Sequence, residues 1–202
     1  MLTDPPPPAG VRFEHPGDEQ LDRLHVGCGA VILDGWINSD LVLSPGLDLV
    51  LDGRSPLPFR NGSARFVFAE HFIEHLTREE GLAFLSECRR VLDPDVGVLR
   101  VSTPNLDWVW RTHYRYPADD ETKRQGAHHL NMAFHGWGHR HLYNDVVLAD
   151  GLREAGFARV EFFDYGESDC AELRGVERHE VNTYRTTPEC PDVIIAQGYV
   201  RR

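Results

Sequence analysis

The stretch Leu24-His25-Val26-Gly27-Cys28-Gly29, followed by Gly35-Trp36-Ile37-Asn38-Ser39-Asp40 and by Leu51-Asp52-Gly53, decides the fold. A short apolar run that breaks on two glycines reads as a strand entering a tight turn, where the backbone can approach a ligand closely. Asp40 ends a second such run and Asp52 follows a third. Carboxylates at the ends of successive parallel strands share one edge of a sheet. There Asp40 can accept both hydroxyl protons of a ribose, while Asp52 and the Gly53 region can meet an adenine edge. Each feature alone is equally a turn or a cap; three in succession are harder to assign to turns.

Working outward, short apolar runs alternate with helical periodicity, which predicts a parallel sheet covered by helices. Strands are expected at Arg23 to Val26, Trp36 to Asp40, Leu47 to Leu51, Phe66 to Ala69, Val98 to Ser102, Arg159 to Asp164 and Val193 to Tyr199. Thr77 and Glu80 form a capping box ahead of a helix from Arg78 to Leu92, with Leu82, Leu85, Cys88 and Val91-Leu92 as its apolar stripe and Pro94 as its stop. A second helix runs from Asp145 to Ala155, capped by Asn144 and ended by Gly156. The expected architecture is α/β: a Rossmann-like, doubly wound, seven-stranded sheet whose last strand is antiparallel. Only eleven positions separate Gly29 from Asp40, so the first helix is reduced or missing. Residues 1–20, with Pro5 to Pro8 in a row, read as a flexible proline-rich tail, and residues 21–202 as one domain. Pro104 to His141 is too long and aromatic for a plain connection and reads as a lid insertion after the fifth strand.

The chain has 202 residues and a formal net charge of -11, with Lys123 its only lysine. Such a field repels polyanions, which argues against nucleic acid. The apolar runs fall far short of the roughly 20 residues that cross a bilayer, so no membrane partner is expected. Cys28, Cys88, Cys170 and Cys190 lack metal or disulfide spacing and read as reduced thiols of a cytoplasmic protein.

Together with Glu70-His71-Phe72-Ile73-Glu74-His75-Leu76 and Arg90-Val91-Leu92-Asp93-Pro94, these runs resemble the type 11 branch of class I S-adenosyl-L-methionine-dependent methyltransferases, closely from Leu24 to Thr103. The resemblance implies S-adenosyl-L-methionine as cofactor. Gly27, Cys28 and Gly29 would line its methionine part, Asp40 and Leu41 its ribose, and Asp52 and Gly53 its adenine, with His71 facing the sulfonium. By the same resemblance Glu74 and His75 support the start of the following helix. Val31 stands where the family has a third glycine, and His25 where it has an acid. With the usual helix end missing, Arg12 or a residue near the tail is a substitute for holding the cofactor carboxylate.

A hydroxyl acceptor needs a base, and histidine titrates near neutrality. His71, His135 and His139 are the catalytic candidates, each weighed against a hydrogen-bonded structural role. The cluster of His128, His129, His135, His139 and His141 matches no compact ligand spacing, because Gly136 and Gly138 interrupt it, and no metal is expected. Trp108, Trp110, Tyr114, Tyr116, Trp137 and Tyr143 can stack on a sugar or aromatic acceptor, or equally form the core of a lid. The expected reaction is methyl transfer to an oxygen or nitrogen of a small molecule or glycan. The alternatives are a non-catalytic binding module with the same fold, or a nicotinamide-dependent oxidoreductase. The latter is disfavoured because Gly-x-Gly-x-x-Gly is missing. The excursion from Gly166 to Pro191 offers a contact for a homodimer.

Overall fold

A computed structural model describes residues 21–113, 119–179 and 186–201. The expected proline-rich tail, Arg12, Tyr114 and Tyr116 lie outside the described residues. Seven strands form one sheet: β1 (Leu21–Val26), β2 (Ile37–Asp40), β3 (Leu49–Val50), β4 (Ala64–Glu70), β5 (Val98–Pro104), β6 (Arg159–Phe162) and β7 (Val193–Tyr199). Their order is β3-β2-β1-β4-β5-β7-β6. The first five pair in parallel, whereas β7 runs antiparallel between β5 and β6. Every expected strand is present. No helix lies between β1 and β2; that connection is a series of turns from Gly27 to Trp36.

Side chains alternate across the two faces of β4 and β5, as strand geometry requires. Val67, Ala69, Leu99 and Val101 face one core, which holds Phe84, Leu85, Cys88 and Val91 of α1 (Arg78–Val91) together with Leu148 and Leu152 of α4 (Asp145–Glu154). α1 begins at the expected capping box: Glu80 N donates to Thr77 Oγ1 at 3.2 Å and Thr77 N to Glu80 Oε2 at 2.8 Å. Its buried stripe includes Phe84, with Leu82 only half-buried, so the apolar face is rotated slightly from the sequence reading.

Phe66, Phe68 and Val98 point the other way, into a core completed by Leu33 and Trp36 of the β1–β2 turns and by Leu173 and Val176 of the β6–β7 connection. Loops pack this face where helices were expected. The short β1–β2 connection leaves no length for a helix there, and the excursion after β6 supplies the missing apolar side chains. Arg100 of β5 is wholly buried on the same face, paired with Glu177 and donating from Nη1 to Gln197 Oε1 at 2.7 Å. An ion pair of this kind is costly to desolvate and costlier to break on one side.

After β5 come α2 (Leu106–His113), α3 (Asp120–Asn131) and a π-helical turn (Met132–Gly136), so the Pro104 to His141 stretch carries helices of its own. Trp108, Val109, Ala133 and Cys190 form a small separate core beneath them. Trp110 and Trp137 are exposed, while Tyr143 is buried. Among the described residues no helix is long and apolar enough to cross a membrane, and the four cysteines are unpaired.

Candidate active site

The carboxyl ends of β1, β2 and β4 meet at the glycine turn. Gly27 has φ 67°, a left-handed conformation that side chains resist. A β-carbon there would lie 2.4 Å from Phe72 Cδ2, and one on Gly53 would lie 2.6 Å from Phe72 Cζ. Phe72 is thus the floor against which both expected cofactor glycines rest, and no larger residue fits at either. Cys28 N donates to Ser39 O at 3.0 Å, stitching the turn to β2. The Cys28 side chain is buried, and that burial pushes its thiol up to about 11. It is therefore a packing group, not a nucleophile.

Asp40 organises the turn. Its Oδ2 accepts from Gly29 N at 2.9 Å and its Oδ1 from Val42 N at 2.9 Å. Each carboxylate oxygen keeps a second lone pair, the two acceptors a ribose diol asks for. Leu41, beside it, is more than half exposed, as are Val42 and Leu43. Asp52 accepts bidentately from Arg54, Oδ1 from Nε at 2.9 Å and Oδ2 from Nη2 at 2.8 Å, which holds its carboxyl below the usual range. An adenine amino group would share this carboxylate with the guanidinium. Among the described residues nothing lies within 4 Å of where a Gly29 β-carbon would stand. The donor and acceptor set of Asp40, Asp52 and the glycine turn fits a nucleoside.

One residue beyond β4, His71 has φ 47°, alone among the described non-glycine residues in adopting a positive φ. Strain of this kind costs on the order of 1–3 kcal/mol and persists where the surroundings impose it, often at functional sites. Here the backbone is held by His71 N donating to Ser102 O at 3.0 Å. The ring Nδ1 lies 3.1 Å from Glu74 Oε1, and Glu74 is fully buried, its other oxygen accepting from Thr103 Oγ1 at 3.0 Å. A carboxylate only accepts, so Nδ1 carries a hydrogen, and in the neutral ring Nε2 would hold the lone pair. Nε2 is buried and has no hydrogen-bond partner among the described residues. His179 covers it, ring centroids 4.1 Å apart, and is itself placed by Glu70, whose carboxylate accepts from Arg178 N and His179 N at 3.1–3.2 Å.

His71 lines a cavity of about 710 Å³ together with Glu74, His75, Trp108, His113, His129, Met132, Trp137, His139 and His179. His139 Nδ1 donates to Ala133 O at 2.7 Å, and burial keeps its imidazole below the ordinary value. His135 is exposed on the π-helical turn and does not line the cavity, since the turn directs it outward beside Phe134. His128 is exposed likewise, and His141 lines a different, smaller cavity with Arg78 and Leu82. The structure therefore brings His71 and His139 together and separates His135 from them.

Sequence reasoning read Glu74 and His75 as support for the next helix. The structure puts both on the cavity wall, on a single 3-10 turn (Ile73–His75). The spacing of His71 and Glu74, three apart across one turn, was a usable signal for the pair. Nothing local in sequence marks His179.

A family described as a methyltransferase domain matches residues 42–99. No curated protein matches the chain. Among solved structures, the chain is similar to the CMeT domain of the citrinin polyketide synthase (16% identity, TM-score 0.54, covering 90% of this chain and 47% of that one). It is similar also to the CurJ carbon methyltransferase (13%, 0.55, 94% and 50%). A third likeness is to a SAM-dependent methyltransferase from Archaeoglobus fulgidus (17%, 0.53, 88% and 85%). The chain spans about half the length of the first two. Its fold is that of these methyltransferases, and the family match covers the segment 42–99, which holds Asp52, Gly53 and His71 but not the glycine turn or Asp40.

Proposed function

We propose that this chain is a methyltransferase of the class I fold that uses S-adenosyl-L-methionine to methylate an oxygen or nitrogen of a small-molecule or glycan acceptor. The observation that carries the reading is the adjacency of two sites. Phe72 lies under Gly27 and Gly53 of the nucleoside site, while its neighbour His71 lines the cavity, its Nε2 beneath His179 and without a partner among the described residues. When bound, the cofactor supplies an electrophilic methyl on a sulfonium that leaves as a neutral thioether, so little beyond alignment and proton removal is left to the protein.

Asp40 holds the ribose diol and, through Gly29 N, keeps the turn in register with it. Asp52 and the Gly53 backbone receive the adenine edge, and Leu41 lies beside the ribose. His71 Nε2 takes the acceptor proton as the oxygen or nitrogen becomes the nucleophile. Glu74, fixed by Thr103, orients the ring and stabilises the imidazolium that forms. His179 and the Pro104 to His141 lid shield the pair from water, and Trp137 offers an aromatic face to a sugar or ring. Supplying methyl-labelled cofactor with a panel of hydroxyl- and amine-bearing small molecules and sugars tests the reading. Transfer by the native chain is expected, with at least about a 100-fold loss in His71→Ala, the scale of a general base. Equal turnover by His71→Ala would remove His71 from the mechanism, and no transfer to any acceptor class would refute the reading.

A further inference from the structure

We propose that Glu74, His75 and His139 form a binding site for a divalent first-row transition cation, of the zinc or cobalt kind, on the wall of the cavity. Their ligand atoms, one from each residue, all lie within 4.8 Å of one another. Ligands about 2.1 Å from a common ion stand roughly 3.0–3.4 Å apart, so small side-chain rotations close the triad. Two imidazoles and one carboxylate suit borderline divalent ions, and three protein ligands leave positions open toward the cavity.

The surroundings already hold the donors as ligands. The carbonyl of Ala133 can only accept, so His139 Nδ1 carries its hydrogen and Nε2 is the free donor, the arrangement that orients metal-binding histidines. Glu74 is wholly buried and each of its oxygens accepts a single hydrogen bond, which leaves lone pairs for an ion. The two segments are locked at the backbone: Arg140 N and His141 N both donate to Glu74 O, at 2.7 and 3.2 Å. Arg140 Nη1 also pairs with Glu80 at 2.6 Å. Glu74 and His139, 65 positions apart in sequence, are thereby clamped at Glu74 itself and at the two residues after His139. The His75 and His139 rings stand 5.1 Å apart and nearly edge to face.

Binding of the ion is independent of the methyl-transfer reading; its use rests on that reading. An acceptor hydroxyl on an open position would be made more acidic, and its proton would pass to His71 Nε2, which shares Glu74 with the ion. The cation thus favours an acceptor with a hydroxyl, or two adjacent hydroxyls, over an amine.

Tag-free, chelator-treated protein titrated with zinc chloride in a calorimeter, and with cobalt chloride by visible absorption, tests the site. One equivalent should bind, with cobalt ligand-field bands. His75→Ala and His139→Ala should each weaken zinc by more than about 100-fold, since losing even an outer-shell partner costs 10–100-fold. The exposed His128→Ala should bind as the native chain does. His75 is exposed, so its variant is expected to fold, and circular dichroism with S-adenosylhomocysteine titration checks this. No stoichiometric binding by the native chain, or unchanged affinity in both ligand variants, overturns the site. Retained S-adenosylhomocysteine binding in that case would leave the methyl-transfer reading standing.

Discussion

His25 should make the fold around the glycine turn sensitive to acid. It sits in β1 two residues before the glycine turn, 1% exposed, with its ring stacked 5.0 Å from Phe68. Its Nδ1 lies 3.3 Å from Asn38 Oδ1, and Asn38 holds the β1–β2 turns through Leu33, Trp36 and Asp48. Burial lowers the imidazole from 6.5 to about 4, against the hydrogen bond to Asn38 that raises it. A histidine depressed on folding is neutral in the native state and binds a proton more readily when unfolded. Its contribution is present in full above pH 6.5 and is lost as the pH falls toward 4. Linkage over that 2.5-unit window gives a loss of about 2 kcal/mol at pH 5 and about 3 kcal/mol below pH 4. In His25→Gln an amide replaces the imidazole and does not titrate. Urea unfolding followed by circular dichroism at pH 7 and pH 5 should show the native chain losing about 2 kcal/mol more than the variant. Equal losses, within about 0.5 kcal/mol, would mean that His25 is protonated in the fold and that the reasoning fails.

Two other substitutions follow from packing. Glu177→Gln leaves the Arg100 guanidinium buried and uncompensated and should cost about 3–5 kcal/mol, a fall in melting temperature of roughly 6–20 °C. Arg100→Met with Glu177→Leu should recover most of it; a single variant that melts like the native chain would refute the ion pair. Gly53→Ala drives a methyl into Phe72 and should cost about 1–3 kcal/mol in denaturant titration, with Phe72→Leu relieving it. Additive effects of these two changes would show that they do not meet.

The strands were legible because each is an apolar run bounded by glycine, proline or acid, and the missing first helix was legible as chain length between Gly29 and Asp40. The covering of the second face was not. Leu173 and Val176 sit in a segment without periodicity, and their burial depends on where the chain returns after β6. Asp40 was readable as the end of a strand. The engagement of Asp52 with Arg54 was less so, since an acid and an arginine two apart pair only if the turn points both the same way. Around the cavity the sequence offered many histidines, and of the three catalytic candidates only His71 and His139 line that cavity. His71 is singled out by a left-handed backbone and a buried glutamate, His139 by a carbonyl six residues earlier, and His135 is set aside by a single π-helical turn. Apart from the three-residue spacing of His71 and Glu74, these are tertiary facts, invisible in spacing alone.

Calorimetric titration of the native chain and Asp40→Ala with S-adenosylhomocysteine tests the central claim most directly. In the proposed reading Asp40 would supply both ribose acceptors, and it anchors Gly29 N. Two charge-assisted hydrogen bonds of about 1.5–3 kcal/mol each imply a loss of affinity of at least about 100-fold in the variant. One equivalent bound by the native chain with that loss in Asp40→Ala is the predicted result; no binding by the native chain, or equal affinity in the two, contradicts it.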